Sequence, residues 1–265
     1  MKDISYHNNN IIIGVLNMKI EEIDAINYKN GKAKNAKEKV VKDETITLTI
    51  NGTISRSLSA IEDSLKEFAV GYLFNENMVN SMDAIKKINV DGTQIHAEID
   101  DTLLKTNETV LCSDSAGGWR SKIKTVNPVE SDFQVNASEL ISRIEELKDN
   151  AEIWQATGGT HVAGIVYDGQ FIVKEDVSRH VAVDKVIGYG LLHDFDLSNS
   201  YVIYSGRMPA DMVIKMTRAG VPILASNAAP ANSGYNIAKK GNITLVGFLR
   251  GQRCNVYNNQ NRIIF

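Results

Sequence analysis

Cys112 opens the run Cys112-Ser-Asp-Ser-Ala-Gly-Gly118, in which a thiol is surrounded by side chains too small to cover it. The thiolate is the nucleophilic, sulfur-carrying form of cysteine, so a reachable cysteine here is a candidate sulfur carrier; the alternative is an inert thiol. Glycine and serine bury little and resist ordering, which predicts a mobile loop. Cys254 falls in the strand-forming segment Arg253 to Tyr257 and is expected to be packed. Two cysteines are too few for a disulfide framework and lack the paired spacing of a structural zinc site. No metal is expected, and the cytoplasm is the expected compartment.

A second group of residues suits anions. Ser205-Gly206-Arg207 follows an apolar strand and precedes a helix whose Pro209 fits a first-turn position. Glycine there lets backbone approach a ligand, and a guanidinium grips phosphate. Phe248-Leu249-Arg250-Gly251-Gln252-Arg253 follows the next-but-one strand in the same way, and Asn227 to Asn232 follows the strand between them. Ligands of open α/β sheets collect at strand carboxyl ends, beside helix N-termini, so these three loops are expected to converge on one crevice. The alternative is a set of tight turns with solvated arginines. Thr157-Gly-Gly-Thr-His161 adds an imidazole before a strand, and Glu175-Asp-Val-Ser-Arg-His180 places four titratable groups before a helix. There the bland reading is a helix capped by Asp176 or Ser178, with His180 in the core and Asp184 and Lys185 exposed.

The elements that must position these residues read as follows. Asn27 to Lys42 is Asn- and Lys-rich and reads as a linker. Thr45 to Ile50 alternates into Asn51-Gly52, a strand and hairpin turn, and Ile85 to Ile99 alternates around Asp91-Gly92. Between them Ser64 and Glu67 resemble a capping box, and Leu65, Phe68, Ala69, Tyr72 and Leu73 predict an amphipathic helix ending near Asn77. Ser138 can cap a helix with Leu140, Ile141, Ile144 and Leu147 on its buried stripe. The second half alternates: a hairpin around Asp168-Gly169, a helix from about His180, strands at Tyr201 to Tyr204, Pro222 to Ala225 and Ile243 to Leu249, and helices from Pro209 and from Asn232. This rhythm predicts an α/β fold with a largely parallel sheet, preceded by an α+β unit, with domains at 1–135 and 136–265.

At these residues the chain resembles the FdhD family of formate dehydrogenase accessory sulfurtransferases, from about Glu44 to Tyr257. Glu175-Asp-Val-Ser-Arg-His-Val-Ala-Val-Asp-Lys-Val-Ile-Gly188 is similar to the family's EDVGRH-x-A-x-DK-x-x-G. Thr157 to His161, Ser205 to Arg207, Val221 to Pro230 and Leu245 to Arg250 match further blocks in family order. The resemblance implies a C-terminal domain similar to the cytidine deaminase fold, with a mixed sheet and helices on its faces, and a homodimer. It implies a catalytic Cys112 that takes persulfide sulfur from a cysteine desulfurase. That sulfur goes to the molybdenum bis(molybdopterin guanine dinucleotide) cofactor destined for formate dehydrogenase, and the family's cofactor-binding segment falls on Phe248 to Arg253. Ser115, Ser178 and Ala231 stand where many members carry Cys, Gly and Thr.

Other functions are weighed against this. His96-Ala-Glu98 is half of a zinc deaminase signature, but Pro-Cys-x-x-Cys is absent and His96 sits in a strand pattern. A cofactor-binding chaperone without sulfur transfer is the non-enzyme alternative. Gly188-Tyr-Gly190 lies in a helix without a third glycine, and no Gly-Lys-Ser/Thr exists, which excludes dinucleotide and P-loop readings. Formal net charge −3 and pI about 6.0 offer no bulk field for nucleic acid. No apolar run reaches membrane-spanning length, the longest N-terminal one being Ile11 to Leu16.

Overall fold

The computed structural model describes residues 18–100, 109–111, 119–121, 123 and 125–265. Among the described residues the first strands form a long ribbon, β1 (Ile20–Lys29) against β2 (Lys32–Val41), turned by Asn30 and Gly31 at φ 52° and 79°. The expected linker over Asn27 to Lys42 is therefore a hairpin. Asn-Gly is the turn signal, and the charged side chains around it, exposed on both faces, conceal the strand pattern.

β3 (Glu44–Ile50) and β4 (Ile54–Ala60) form the expected hairpin at Asn51-Gly52, and β5 (Ile85–Asp91) pairs with β6 (Gln94–Ile99). Their sheet has the order β4-β3-β6-β5, with β3 and β6 parallel. Its inward residues, among them Ile46, Leu48, Ile95 and Ala97, cover α1 (Leu65–Asn75). That helix is buried from Phe68 to Asn75 on every side rather than amphipathic, because the sheet covers one face and α4 (Arg179–Leu192) the other. The expected capping box is absent: Ser64 takes a left-handed conformation, and its hydroxyl accepts from Lys174 Nζ at 2.8 Å. Burying a side chain such as Phe68 or Leu73 contributes about 1.5–3 kcal/mol.

The short strands β7 (Thr109–Leu111) and β8 (Trp119–Ser121) pair antiparallel. Cys112 to Gly118, and with them the expected mobility of that loop, lie outside the described residues. β9 (Val135–Asn136) leads into α2 (Ala137–Asp149), whose Leu140, Ile144 and Leu147 are buried as expected; Asn136, not Ser138, precedes its first turn. α3 (Glu152–Thr157) follows.

The larger sheet has the order β11-β10-β12-β13-β14-β15, from β10 (His161–Tyr167), β11 (Gln170–Asp176), β12 (Ser200–Tyr204), β13 (Ile223–Ser226), β14 (Thr244–Arg250) and β15 (Arg253–Val256). Only β12–β13 and β13–β14 are parallel within it, so the largely parallel sheet expected from the rhythm is mixed. The turns at Asp168-Gly169 and Gly251 are too short for a crossover and force antiparallel pairs. α4, α5 (Ala210–Ala219) and α6 (Asn232–Lys240) cover one face, packing on Ile165, Val202, Leu224 and Leu245. α2 covers the other, over Tyr201, Ile203, Ile223 and Val246. β16 (Ile263–Ile264) closes the chain beside β9. Among the described residues no helix is long and apolar enough to cross a membrane.

Candidate functional site

β12, β13 and β14 run parallel in register, Tyr201 beside Ile223 beside Thr244, so the loops that follow them leave from one edge. The three loops meet along that one edge. The Ser226 hydroxyl donates to Gly206 O at 2.6 Å and accepts from Ala228 N at 3.0 Å. Phe248 N donates to Ala228 O at 3.0 Å, and Met208 exchanges backbone bonds with Ala229 and Ala231. Ser205-Gly206-Arg207, Asn227 to Pro230 and Phe248 thus form one backbone-linked rim, from which α5 and α6 depart with their N-termini toward it. Helix N-termini carry partial positive charge and unpaired N–H groups, which favours an anion.

Arg250 and Arg253 face each other across the turn at Gly251 (φ 57°), and the run Arg250 to Arg253, Gln252 included, is exposed. Arg250 lies two residues beyond Phe248, across the irregularity that breaks the β14–β15 register between Gly247 and Arg250, so the turn projects beyond the rim. Its guanidinium sits 5.9 Å from the centre of the Phe248 ring. Leu249 is buried in the core beneath α2. Phe248 holds φ 52°, a costly conformation for a bulky residue and a feature that gathers at functional sites.

His161 joins this edge through Nδ1, 2.7 Å from Ser205 O, while Ser205 Oγ accepts from Val162 N. His180 is fully buried in the first turn of α4, with Nε2 3.4 Å from Asp211 Oδ2 in the first turn of α5. Arg179 packs against Gly206: a Cβ on that glycine would sit 3.3 Å from Arg179 Cδ and 2.8 Å from the Tyr204 ring. The Tyr204 hydroxyl donates to Arg207 O, and burial pushes its pKa well above the usual phenol range. Arg207 itself is exposed.

The rest of the Glu175 to Gly188 motif is scaffold. Glu175 accepts from the Ile153 and Trp154 amides and from Thr160 Oγ1, holding the start of α3. Asp176 is buried, accepting from Ile61 N, Ser178 N and Lys185 Nζ (2.7 Å). Burial pushes its carboxyl upward, against the pull of Lys185 and the two amides. Asp184 accepts from Asn75 and from Lys215 Nζ at 2.5 Å. Asp184 and Lys185 are therefore buried, not exposed, because α1 and α5 close over that face of α4. Ser178 precedes α4 without a side-chain cap bond, and its amide is held by Asp176 instead.

Tyr204, Asp211 and Ser226 escape a reading of the sequence. Each occupies an ordinary strand-end or first-turn position, and only register brings them together. Cys254 is half-buried, and burial pushes its thiol up, as expected of a packed cysteine. His96 and Glu98 point outward from β6.

The family model described as the FdhD/NarQ family matches residues 41–264. A sulfur carrier protein FdhD from Methanothermobacter thermautotrophicus is 46% identical over 244 residues, covering 92% of this chain and 98% of its own. One from Bacillus pumilus is 30% identical, covering 89% and 94%. A crystal structure from Desulfotalea psychrophila, designated a putative formate dehydrogenase accessory protein, superposes with TM-score 0.76 at 27% identity, covering 92% of this chain and 99% of that one. A match that runs through both sheets and all three loops of the rim makes this chain a member of the FdhD/NarQ family.

Proposed function

We propose that the protein is a sulfur carrier serving a formate dehydrogenase, and that Cys112 carries the sulfur as a persulfide. The observation that carries this reading is the near full-length likeness to relatives named sulfur carrier protein FdhD. The Cys112 thiolate attacks the outer sulfur of a persulfide on a cysteine desulfurase; a new S–S bond forms and the donor cysteine leaves as thiolate. Handing that sulfur on as sulfide consumes two electrons. With Ser115 in place of a second loop cysteine, two external thiols supply them: the first displaces the outer sulfur as sulfide and forms a mixed disulfide with Cys112, and the second frees Cys112 as thiolate and leaves with the first as a disulfide.

The acceptor in this reading is the molybdenum bis(molybdopterin guanine dinucleotide) cofactor, the substrate of the transfer. This edge suits such a group: two helix N-termini without side-chain caps and an exposed Arg207 at the rim, and Arg250 and Arg253 exposed on the turn beyond it with the Phe248 ring beside Arg250, suit phosphates and a planar base. A homodimer in the cytoplasm and a cytidine-deaminase-like C-terminal domain belong to the same reading and rest on the family resemblance.

Incubation with a cysteine desulfurase and cysteine tests it by intact mass. A gain of one sulfur, about 32 Da, reversed by thiol reductant, is expected. Cys112→Ala abolishes the gain and Cys254→Ala does not. If the wild type stays unmodified while a two-cysteine relative loads in parallel, sulfur transfer is lost as a function and a cofactor-binding chaperone is the better reading.

A further inference from the structure

We propose that Ser226 is a positioning residue of the candidate nucleotide edge, locking its three loops into one unit through a hydroxyl that never meets the ligand. Ser226 ends β13 and is fully buried. A serine hydroxyl has one hydrogen to donate and two lone pairs to accept with. Here it donates to Gly206 O at 2.6 Å and accepts from Ala228 N at 3.0 Å, with Gly206 N approaching at 3.4 Å. One side chain therefore ties the loop after β12 to the loop after β13.

The tie continues into the third loop through backbone. Ala228 O receives Phe248 N at 3.0 Å, and it lies 3.0 Å from where a Cβ on Gly247 would stand, so this contact suits glycine. A phenylalanine at φ 52° persists only where its surroundings over-determine the backbone, and the Ala228 bond is part of what holds it. Phe248 in turn sets the ring beside which Arg250 lies. Removal of one hydroxyl leaves Gly206 O and Ala228 N without this partner and loosens the chain that ends at Phe248 and Arg250.

The inference rests on the reading of this edge as a guanine-nucleotide site, so two measurements separate the claims. Amide hydrogen exchange at Ala228 and Phe248 reports the lock without ligand, and calorimetric titration with GDP reports binding. Ser226→Ala is expected to speed exchange at both amides by about tenfold or more relative to the neighbouring strands. The same variant is expected to weaken GDP by about tenfold. Ser226→Thr, which keeps the hydroxyl, restores both. Val202→Ala, a core change in the adjacent strand, lowers stability yet leaves GDP affinity within about twofold. A Ser226→Ala protein with exchange at Phe248 and GDP affinity both unchanged overturns the proposal. Absence of GDP binding by the wild type removes the nucleotide reading, and the exchange result alone then decides whether Ser226 locks the loops.

Discussion

Lys185 Nζ stands 2.7 Å from Asp176 Oδ2 with both side chains fully excluded from water. Removing one member of such a pair leaves a buried charge uncompensated, which typically costs about 3–5 kcal/mol. Asp176→Ala is therefore expected to destabilise by that order in urea melts. Asp176→Asn combined with Lys185→Met should cost clearly less than the sum of the two single changes, the sign of direct coupling. Asp63 behaves differently. Burial, the largest single influence, would raise its carboxyl, but Lys19 at 2.9 Å together with the charges of Lys185 and Lys174 holds it below the ordinary 3.8. A depressed carboxylate stabilises the fold above that value and loses its contribution as pH falls through the folded-state pKa. The stability gap between wild type and Asp63→Asn should thus be open at pH 7 and close below about pH 4. The sequence displays these charges but not their partners. Asp176 meets the Ile61 amide, 115 positions away, only because the chain entering α1 is laid against the end of β11 where α4 begins.

At the scale of elements the decisive contact is the crossing of α1 and α4. A Cβ on Gly71 would come within 1.9 Å of Asp184 O, and one on Gly188 within 1.8 Å of Glu67 O. Backbone touches backbone, so no side chain can give way. Gly188→Ala is expected to force the helices apart and cost at least about 1–3 kcal/mol, read as a lowered denaturation midpoint. The β1–β2 ribbon is the opposite case. Ile26 and Tyr28 are 71% and 73% exposed, so Ile26→Ser or Tyr28→Ser should shift stability by less than about 0.5 kcal/mol. Hairpins whose Asn-Gly or Asp-Gly turns sit between alternating strands are legible in the sequence. α1 is legible as a helix but not as a buried one, since periodicity reports one covered face and cannot count a second.

For the molecule as a whole, the order and register of the larger sheet put Arg207, Arg250 and Arg253 around one edge, although a helix, a strand and a second helix separate the first from the other two. Charge-assisted hydrogen bonds contribute about 1.5–3 kcal/mol each. Arg250→Ala with Arg253→Ala should accordingly weaken GDP by about tenfold or more and leave the thermal midpoint nearly unchanged, because both side chains are solvent-exposed. Unchanged affinity in that variant would show the turn at Gly251 to lie outside the binding surface.

Local patterns of period 2 and 3.6 and short motifs are written along the chain, and they suffice for the α/β rhythm of the second half, its turns, the family resemblance and the three glycine- or arginine-bearing loops. They leave open that the larger sheet is mixed and that Asp176, Asp184 and Lys185 are scaffold rather than surface, both of which follow from packing. Packing also brings Tyr204, Asp211 and Ser226 to the edge where Arg179 and His180 stand. Strand order, register and helix crossings are relations between residues distant in sequence, and a buried hydroxyl such as that of Ser226 acquires its meaning from the two loops it joins.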